Sequence, residues 1–248
     1  MRSALAWGCL HLTSVSTPVG GQFAKRTKGA TIEVRLLLVE RSIARDGSHE
    51  LEVRKSRFIC TVCRVASEDA ARLAIASIRK SHWDANHHCT AWRIGAGGRL
   101  QRSNDDGEPA GAAGETMLEV LNRRDVTDVV AIVTRYFGGI KLGKGGLIRA
   151  YGAAVSQTIE RVGIVERRPL RILAVTVSHT VSGRLEHILR NLDTPLQDVA
   201  YHATSVTFTL YIEPEQAQSF SAKVAEQTAG RADVRDIGIV VVEAPVDG

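Results

Sequence analysis

The sequence predicts an α+β protein of two domains. Three observations lead to this prediction. Along residues 38–166, segments rich in apolar and β-branched residues alternate with amphipathic helical segments. Arg167, Arg168 and Pro169 interrupt that pattern and predict a hinge. Residues 170–248 then follow the order strand-helix-strand-strand-helix-strand, which is the signature of a ferredoxin-like βαββαβ domain.

The composition excludes several classes of protein. Of the 248 residues, 44% are hydrophobic and 24% are charged, an ordinary balance for a globular protein. The four cysteines are too few for a disulfide scaffold. No apolar run approaches the roughly 20 residues that a membrane span requires. The composition does not choose between an enzyme and a binding module.

In the first domain, residues 58–65 predict a strand because apolar and β-branched side chains dominate them. Ser67 is then placed to cap a helix whose first turn carries Glu68 and Asp69. We expect that helix to pack through small and branched apolar residues on one face. These residues are Ala70, Ala71, Ala74, Ile75 and Ile78.

Strands, loops and helices continue to alternate in the rest of this domain. Residues 89–94 predict another strand, and residues 95–114 predict an acidic, glycine-rich loop. Met117 and Leu121 mark a short helix, and the apolar run 129–133 predicts a buried strand. A second glycine-rich loop leads into a helix over residues 147–162.

The second domain is predicted to contain four strands and two helices. The strands are expected near residues 171–177, 196–200, 205–212 and 234–242, and the helices over residues 182–191 and 214–229. This domain has no clustered histidines, cysteines or paired acids. We therefore interpret it as an interaction module, with a possible protein partner, and expect any chemistry in the first domain.

Residues 1–37 show no persistent period, and we exclude them from the predicted fold. A weak apolar stretch imitates a signal peptide, but His11 interrupts it. The other interpretations are a disordered extension or a gene start assigned too early, since Val34 could be a GTG start codon. This segment has five bases and one acid, so it carries +4 of the chain's +5 charge.

Two segments of the first domain carry opposite local charge. The segment 103–119 has five acids and no base, whereas the segment 133–152 has four bases and no acid. The two segments either pair with each other or form a phosphate-binding loop beside an acidic one. The acids are Asp105, Asp106, Glu108, Glu115 and Glu119, and the bases are Arg135, Lys141, Lys144 and Arg149.

The basic segment contains the beginning of a phosphate-binding loop. Residues 138–144 read G-x-x-x-x-G-K between a buried strand and a helix. Gly145 stands where a Ser or Thr would hold magnesium, which argues against nucleotide hydrolysis. Two interpretations remain: the loop binds an anion or a nucleic-acid backbone, or it is a purely structural turn. The candidate contacts are Arg135, Lys141, Gly143, Lys144, Gly145, Gly146 and Arg149.

A histidine-rich segment, HWDANHHC over residues 82–89, offers acid–base or metal chemistry. Cys60 and Cys63 could complete a zinc site, but they lie in a strand pattern where residues three apart face opposite sides. We therefore predict no metal and no cofactor. The candidates for acid–base catalysis are His82, Asp84, His87, Asp105, Asp106 and Glu108; hydrogen-bonded packing is the alternative.

Four segments together resemble the YigZ/IMPACT family. They are EVRKSRFI (52–59), HWDANHHC (82–89), NDDGEPAGAAG (104–114) and VTRYFGGIKLGKGGLIRAYG (133–152). The resemblance implies a first domain like the second domain of a small-subunit ribosomal protein, followed by a ferredoxin-like domain. It also implies a role in translation, because eukaryotic relatives regulate translation initiation.

From these observations we expect a cytoplasmic, translation-associated regulator that binds RNA or the ribosome. We also expect a protein partner to bind through the second domain, and we expect no association with a membrane. The competing hypothesis is an enzyme of unknown reaction that uses the histidine and carboxylate candidates of the first domain.

Overall fold

The computed structural model describes residues 39–191 and 196–246, and the N-terminal segment 1–37 lies outside them. The described chain divides into two compact units, Val39–Arg167 with the final residues 244–246, and Arg168–Glu243. Both units combine helices with antiparallel sheets, which confirms the predicted α+β class. No described helix is long and apolar enough to cross a membrane.

The first unit contains a five-stranded sheet in the order β2-β3-β6-β4-β5, and its strand pairs are antiparallel. A separate short strand, β1, pairs with the first four residues of β7. The strands are β1 (Glu40–Ile43), β2 (Gly47–Val53), β3 (Ser56–Arg64), β4 (His87–Ile94), β5 (Leu100–Asn104), β6 (Val129–Tyr136) and β7 (Ile164–Ser178).

Three helices cover the two faces of this sheet: α1 (Glu68–Ser81), α2 (Gly114–Arg123) and α3 (Lys144–Val162). The predicted buried strand is β6, the central strand, which presents successive residues to the two faces. Val129, Ala131 and Val133 pack in the same core as α2 and α3, whereas Val130 and Ile132 pack with α1. Ser67 caps α1 as predicted, since its Oγ accepts from the Ala70 amide at 3.2 Å.

Three strands of this unit had no counterpart in the sequence prediction. The prediction of a loop over residues 95–114 is wrong in part, because β5 lies within that segment. All five residues of β5 are exposed, so no buried alternating residues identified that strand. β1 and β2 precede the first predicted strand and are short or rich in polar residues.

The second unit has the predicted βαββαβ order. The remaining part of β7 leads to α4 (His179–Arg190), β8 (Leu196–Tyr201), β9 (Ser205–Ile212), α5 (Ala217–Gln227) and β10 (Asp233–Pro245). Its sheet order is β10-β7-β9-β8, which confirms a ferredoxin-like arrangement. Leu185 and Leu189 of α4 and Phe220 and Val224 of α5 pack with the sheet in one core.

Candidate functional site

The basic segment forms a loop that leads from β6 to α3 and is held against the β2–β3 hairpin. The Gly138 amide donates a hydrogen bond to Ser56 Oγ at 3.1 Å. A Cβ at position 138 would lie 2.0 Å from the carbonyl carbon of Lys55. Only glycine therefore allows this close approach between the loop and the hairpin turn.

The loop ends at the N-terminus of α3, where no described side chain caps the helix. Gly143 adopts a φ of 70°, and its carbonyl oxygen accepts from the Leu147 amide at 3.0 Å. The amides of Lys144, Gly145 and Gly146 belong to the first turn, where an α-helix provides no intrahelical acceptor. Such amides, with the helix dipole behind them, attract anions.

Exposed cations surround this helix terminus. Three of the candidate contacts, Lys141, Lys144 and Arg149, are exposed. The two-residue turn of the β2–β3 hairpin adds Arg54 and Lys55, which are also exposed and were not predicted as contacts. Among the described residues, none of these five has an acidic ion-pair partner. We call Arg54, Lys55, Lys141, Lys144 and Arg149 the basic face.

A cleft of about 330 Å³ connects the two parts of the basic face. Arg54 and Arg149 line it together with the apolar side chains of Leu51, Val53 and Leu142. No carboxylate is among the described residues that line it. Two cations facing one cleft without a counter-charge favour an anionic ligand.

Arg135 lies elsewhere, which corrects its assignment as an anion contact. Its side chain is only 7% exposed, and its Nη1 donates to Glu108 Oε1 at 2.5 Å. The guanidinium is therefore neutralised inside the protein. At this point the basic and acidic segments pair with each other, which is one of the two arrangements that the sequence left open.

Glu108 connects several buried polar groups. Its Oε1 also accepts from the Tyr151 hydroxyl at 2.7 Å, and His87 Nε2 lies 4.0 Å away. The Cys89 thiol lies 3.0 Å from the Asp105 carbonyl oxygen and 3.3 Å from the Tyr151 hydroxyl. Burial raises the pKa of Cys89 to about 12, so this thiol is not an activated nucleophile.

The other two carboxylates of the acidic loop hold the backbone in place. Asp105 accepts hydrogen bonds from the amides of Gly111, Ala113 and Gly114 at 2.9–3.0 Å. Burial alone would raise the pKa of Asp105, but these amides and the nearby positive charge of Lys144 lower it. Asp106 Oδ2 accepts from the His88 amide at 2.7 Å, and its Oδ1 accepts from Arg79 at 2.6 Å.

The candidate acid–base residues form two groups. In one group, His87 Nδ1 lies 2.8 Å from the Asp106 carbonyl oxygen, and His87 Nε2 lies 4.0 Å from Glu108 Oε1. In the other, His82 Nδ1 and Asp84 Oδ1 lie 3.0 and 3.1 Å from the Tyr136 hydroxyl. Within the described chain, no three metal-binding side chains converge on one point.

Comparison with known proteins places this site in a family. The model of the Impact N-terminal domain matches residues 54–159, a range that includes the whole basic face. The IMPACT family member YvyE of Bacillus subtilis is 44% identical over 201 residues, which are 81% of this chain and 92% of that protein. The chain belongs to the IMPACT family. A model of a domain of unknown function, DUF1949, matches residues 175–231 in the second unit.

A second relative and a solved structure extend this result. The IMPACT family member YigZ of Escherichia coli is 36% identical over 181 residues, covering 72% of this chain and 88% of that protein. A crystal structure of a hypothetical protein is 32% identical, with a TM-score of 0.51 over 81% of this chain and 98% of its own. Both matches cover most of the relative's length, so the likeness includes both units.

Proposed function

We propose that this member of the IMPACT family is a cytoplasmic, translation-associated regulator that binds RNA, free or in the ribosome. The basic face would provide the contact surface. The observation that carries this proposal is the set of five exposed cations, none of which forms a salt bridge with an acid among the described residues, around an uncapped helix N-terminus. A second contact, between a protein partner and the ferredoxin-like unit, belongs to the same proposal.

Phosphate is the ligand that this chemistry suits best. Lys141, Lys144 and Arg149 provide point charges and a forked donor, and the first-turn amides of α3 provide fixed dipoles. The basic face spans a loop, a helix and a hairpin turn, and is thus wider than a single phosphate. A polyphosphate backbone can use contacts distributed in this way.

The acidic loop favours binding over acid–base catalysis. Glu108 is occupied by Arg135 and Tyr151, and Asp105 by three backbone amides. A general base needs a carboxylate or imidazole within reach of a substrate proton. These two carboxylates instead stabilise the loop that lies beside α3.

The experiment is a salt titration of RNA binding by the full chain. Lys141→Ala combined with Lys144→Ala should weaken binding and reduce the slope of log K against log salt by about one for each lost phosphate contact. Lys80→Ala combined with Lys223→Ala is the matched control. It removes the same charge from exposed lysines outside the basic face and should leave the slope unchanged.

Equal slopes for the two double variants would overturn the assignment of the basic face. In cells, a tagged chain should co-sediment with ribosomes, and added salt should release it. Persistence of the Lys141→Ala, Lys144→Ala variant on ribosomes at the wild-type level would contradict the proposed contact.

A further inference from the structure

An exposed apolar surface lies within the basic loop itself. The loop begins with Phe137, which is 46% exposed, and continues to Ile140, which is 40% exposed. Lys141 follows directly. Large apolar side chains beside cations on a surface are costly to hydrate, so their exposure suggests a ligand with both apolar and anionic parts.

The side chain of Arg135 and a backbone hydrogen bond hold the aromatic ring of Phe137 in place. The Arg135 guanidinium lies 5.6 Å from the Phe137 ring centroid, within cation–π range, and is fixed in turn by its buried bond to Glu108. The Phe137 amide donates to Asn86 Oδ1 at 2.7 Å. A ring supported in this way loses little conformational entropy when a planar group stacks on it.

From this arrangement we infer that the basic face binds single-stranded RNA, with an unpaired base stacked on Phe137 and neighbouring phosphates held by Lys141 and Lys144. The inference rests on the proposed RNA-binding function. A duplex keeps its base faces inside the stack, whereas a single strand can present one to an aromatic ring. Cations that follow the backbone beside an aromatic platform are the combination that single-strand binders use.

The low aromatic content argues against stacking of many bases on this surface. Aromatic residues make up only 5% of the chain, and Phe137 is the one aromatic residue in the loop segment 137–143. One stacked base combined with several phosphate contacts is therefore the expected mode, with little dependence on base sequence.

The test measures binding of the full chain to a single-stranded uridine-rich RNA of about 10 nucleotides and to a duplex of the same length. The wild-type protein should bind the single strand more tightly. Phe137→Ala should weaken single-strand binding about 10-fold and leave duplex binding and the salt slope unchanged. Phe137→Tyr, which keeps the ring, should restore single-strand binding.

Tyr201→Ala is the matched control, because Tyr201 is an aromatic residue of the second unit that is 69% exposed. It should bind both RNAs as the wild type does. Equal weakening of single-strand and duplex binding by Phe137→Ala, or no weakening, would overturn the stacking inference while the proposed function stands. Should wild type bind neither RNA but bind an acidic peptide, the proposed function fails as well.

Discussion

At the scale of single residues, the most consequential contact is the buried ion pair between Glu108 and Arg135. Both side chains are almost completely removed from solvent. Glu108→Gln should lower the free energy of unfolding by about 3 kcal/mol, because it leaves the Arg135 charge buried without a counter-charge. Urea unfolding followed by circular dichroism measures this change.

Glu50→Gln is the control for that prediction. Glu50 accepts two hydrogen bonds from Arg57, but the pair lies at the surface, where ion pairs contribute little. The denaturation midpoint of Glu50→Gln should remain close to that of the wild type. Similar losses in both variants would mean that the buried pair has no special role.

The buried thiols predict a dependence of stability on pH. Burial raises the pKa of Cys60 and of Cys89 from about 9 to about 12. Between pH 9 and pH 12 the unfolded chain therefore releases these protons while the folded chain keeps them. Stability should be unaffected by the thiols below pH 9 and should fall above it by roughly 1.4 kcal/mol per pH unit for each thiol.

Unfolding by urea from pH 8 to pH 10.5 measures that fall. In the variant Cys60→Ala, Cys89→Ala the decline should be shallower, although its stability at pH 8 is lower because two core side chains become smaller. Parallel curves for the wild type and this variant would contradict the assignment to the thiols.

The buried position of Arg135 could be predicted from strand alternation in the sequence, but not from its charge. Arg135 and Lys141 have the same charge and lie in one segment. Alternation in a strand, however, places Arg135 on the same face as Ala131 and Val133, which point into the core. The pairing with Glu108 could not be predicted, since it depends on how the acidic loop folds over β6.

At the scale of elements, the contact between the basic loop and the hairpin is testable by comparing Gly138, which lies at that contact, with Gly145, which lies in the first turn of α3. Gly138→Ala should destabilise the protein by about 1–3 kcal/mol and weaken RNA binding, because its methyl group would displace the loop from Lys55. Gly145→Ala should instead stabilise by about 0.5 kcal/mol. Gly145 is helical, and a methyl carbon added there would lie 3.7 Å from Arg149 Nη1, at ordinary contact distance.

Thermal unfolding and RNA titration of both variants check this pair. The two substitutions add the same methyl group, so their difference isolates the close approach at Gly138. Equal stability of the two variants would show that the hairpin does not restrain the loop.

Elements with a buried face were predictable, and elements without one were not. The central strand β6 and the helix α1 carry apolar periodicity that the core requires. β5 is exposed along its whole length and is defined only by its pairing with β4. The hairpin turn at Arg54 and Lys55 lacks the glycine or asparagine that usually marks such turns, so this part of the basic face was missed.

At the scale of the whole molecule, net charge and local charge make different predictions for RNA binding. The chain has a net charge of +5, of which residues 1–37 contribute five bases and one acid. The remaining residues are therefore nearly neutral, with 27 bases against 26 acids by subtraction from the totals of 32 and 27. The basic face is a local feature of an almost neutral surface.

This distinction can be measured with full-length variants. Lys25→Gln, Arg26→Gln and Lys28→Gln together remove three charges from the N-terminal segment. If the basic face carries the phosphate contacts, this triple variant should keep the wild-type salt slope, whereas the variant Lys141→Ala, Lys144→Ala should lose part of it with only two charges removed. A larger loss of slope in the triple variant would assign RNA binding to net charge and to the N-terminal segment. A larger loss of slope in the variant Lys141→Ala, Lys144→Ala would instead assign RNA binding to the basic face, where the uncapped helix, the glycine-rich loop and the hairpin meet.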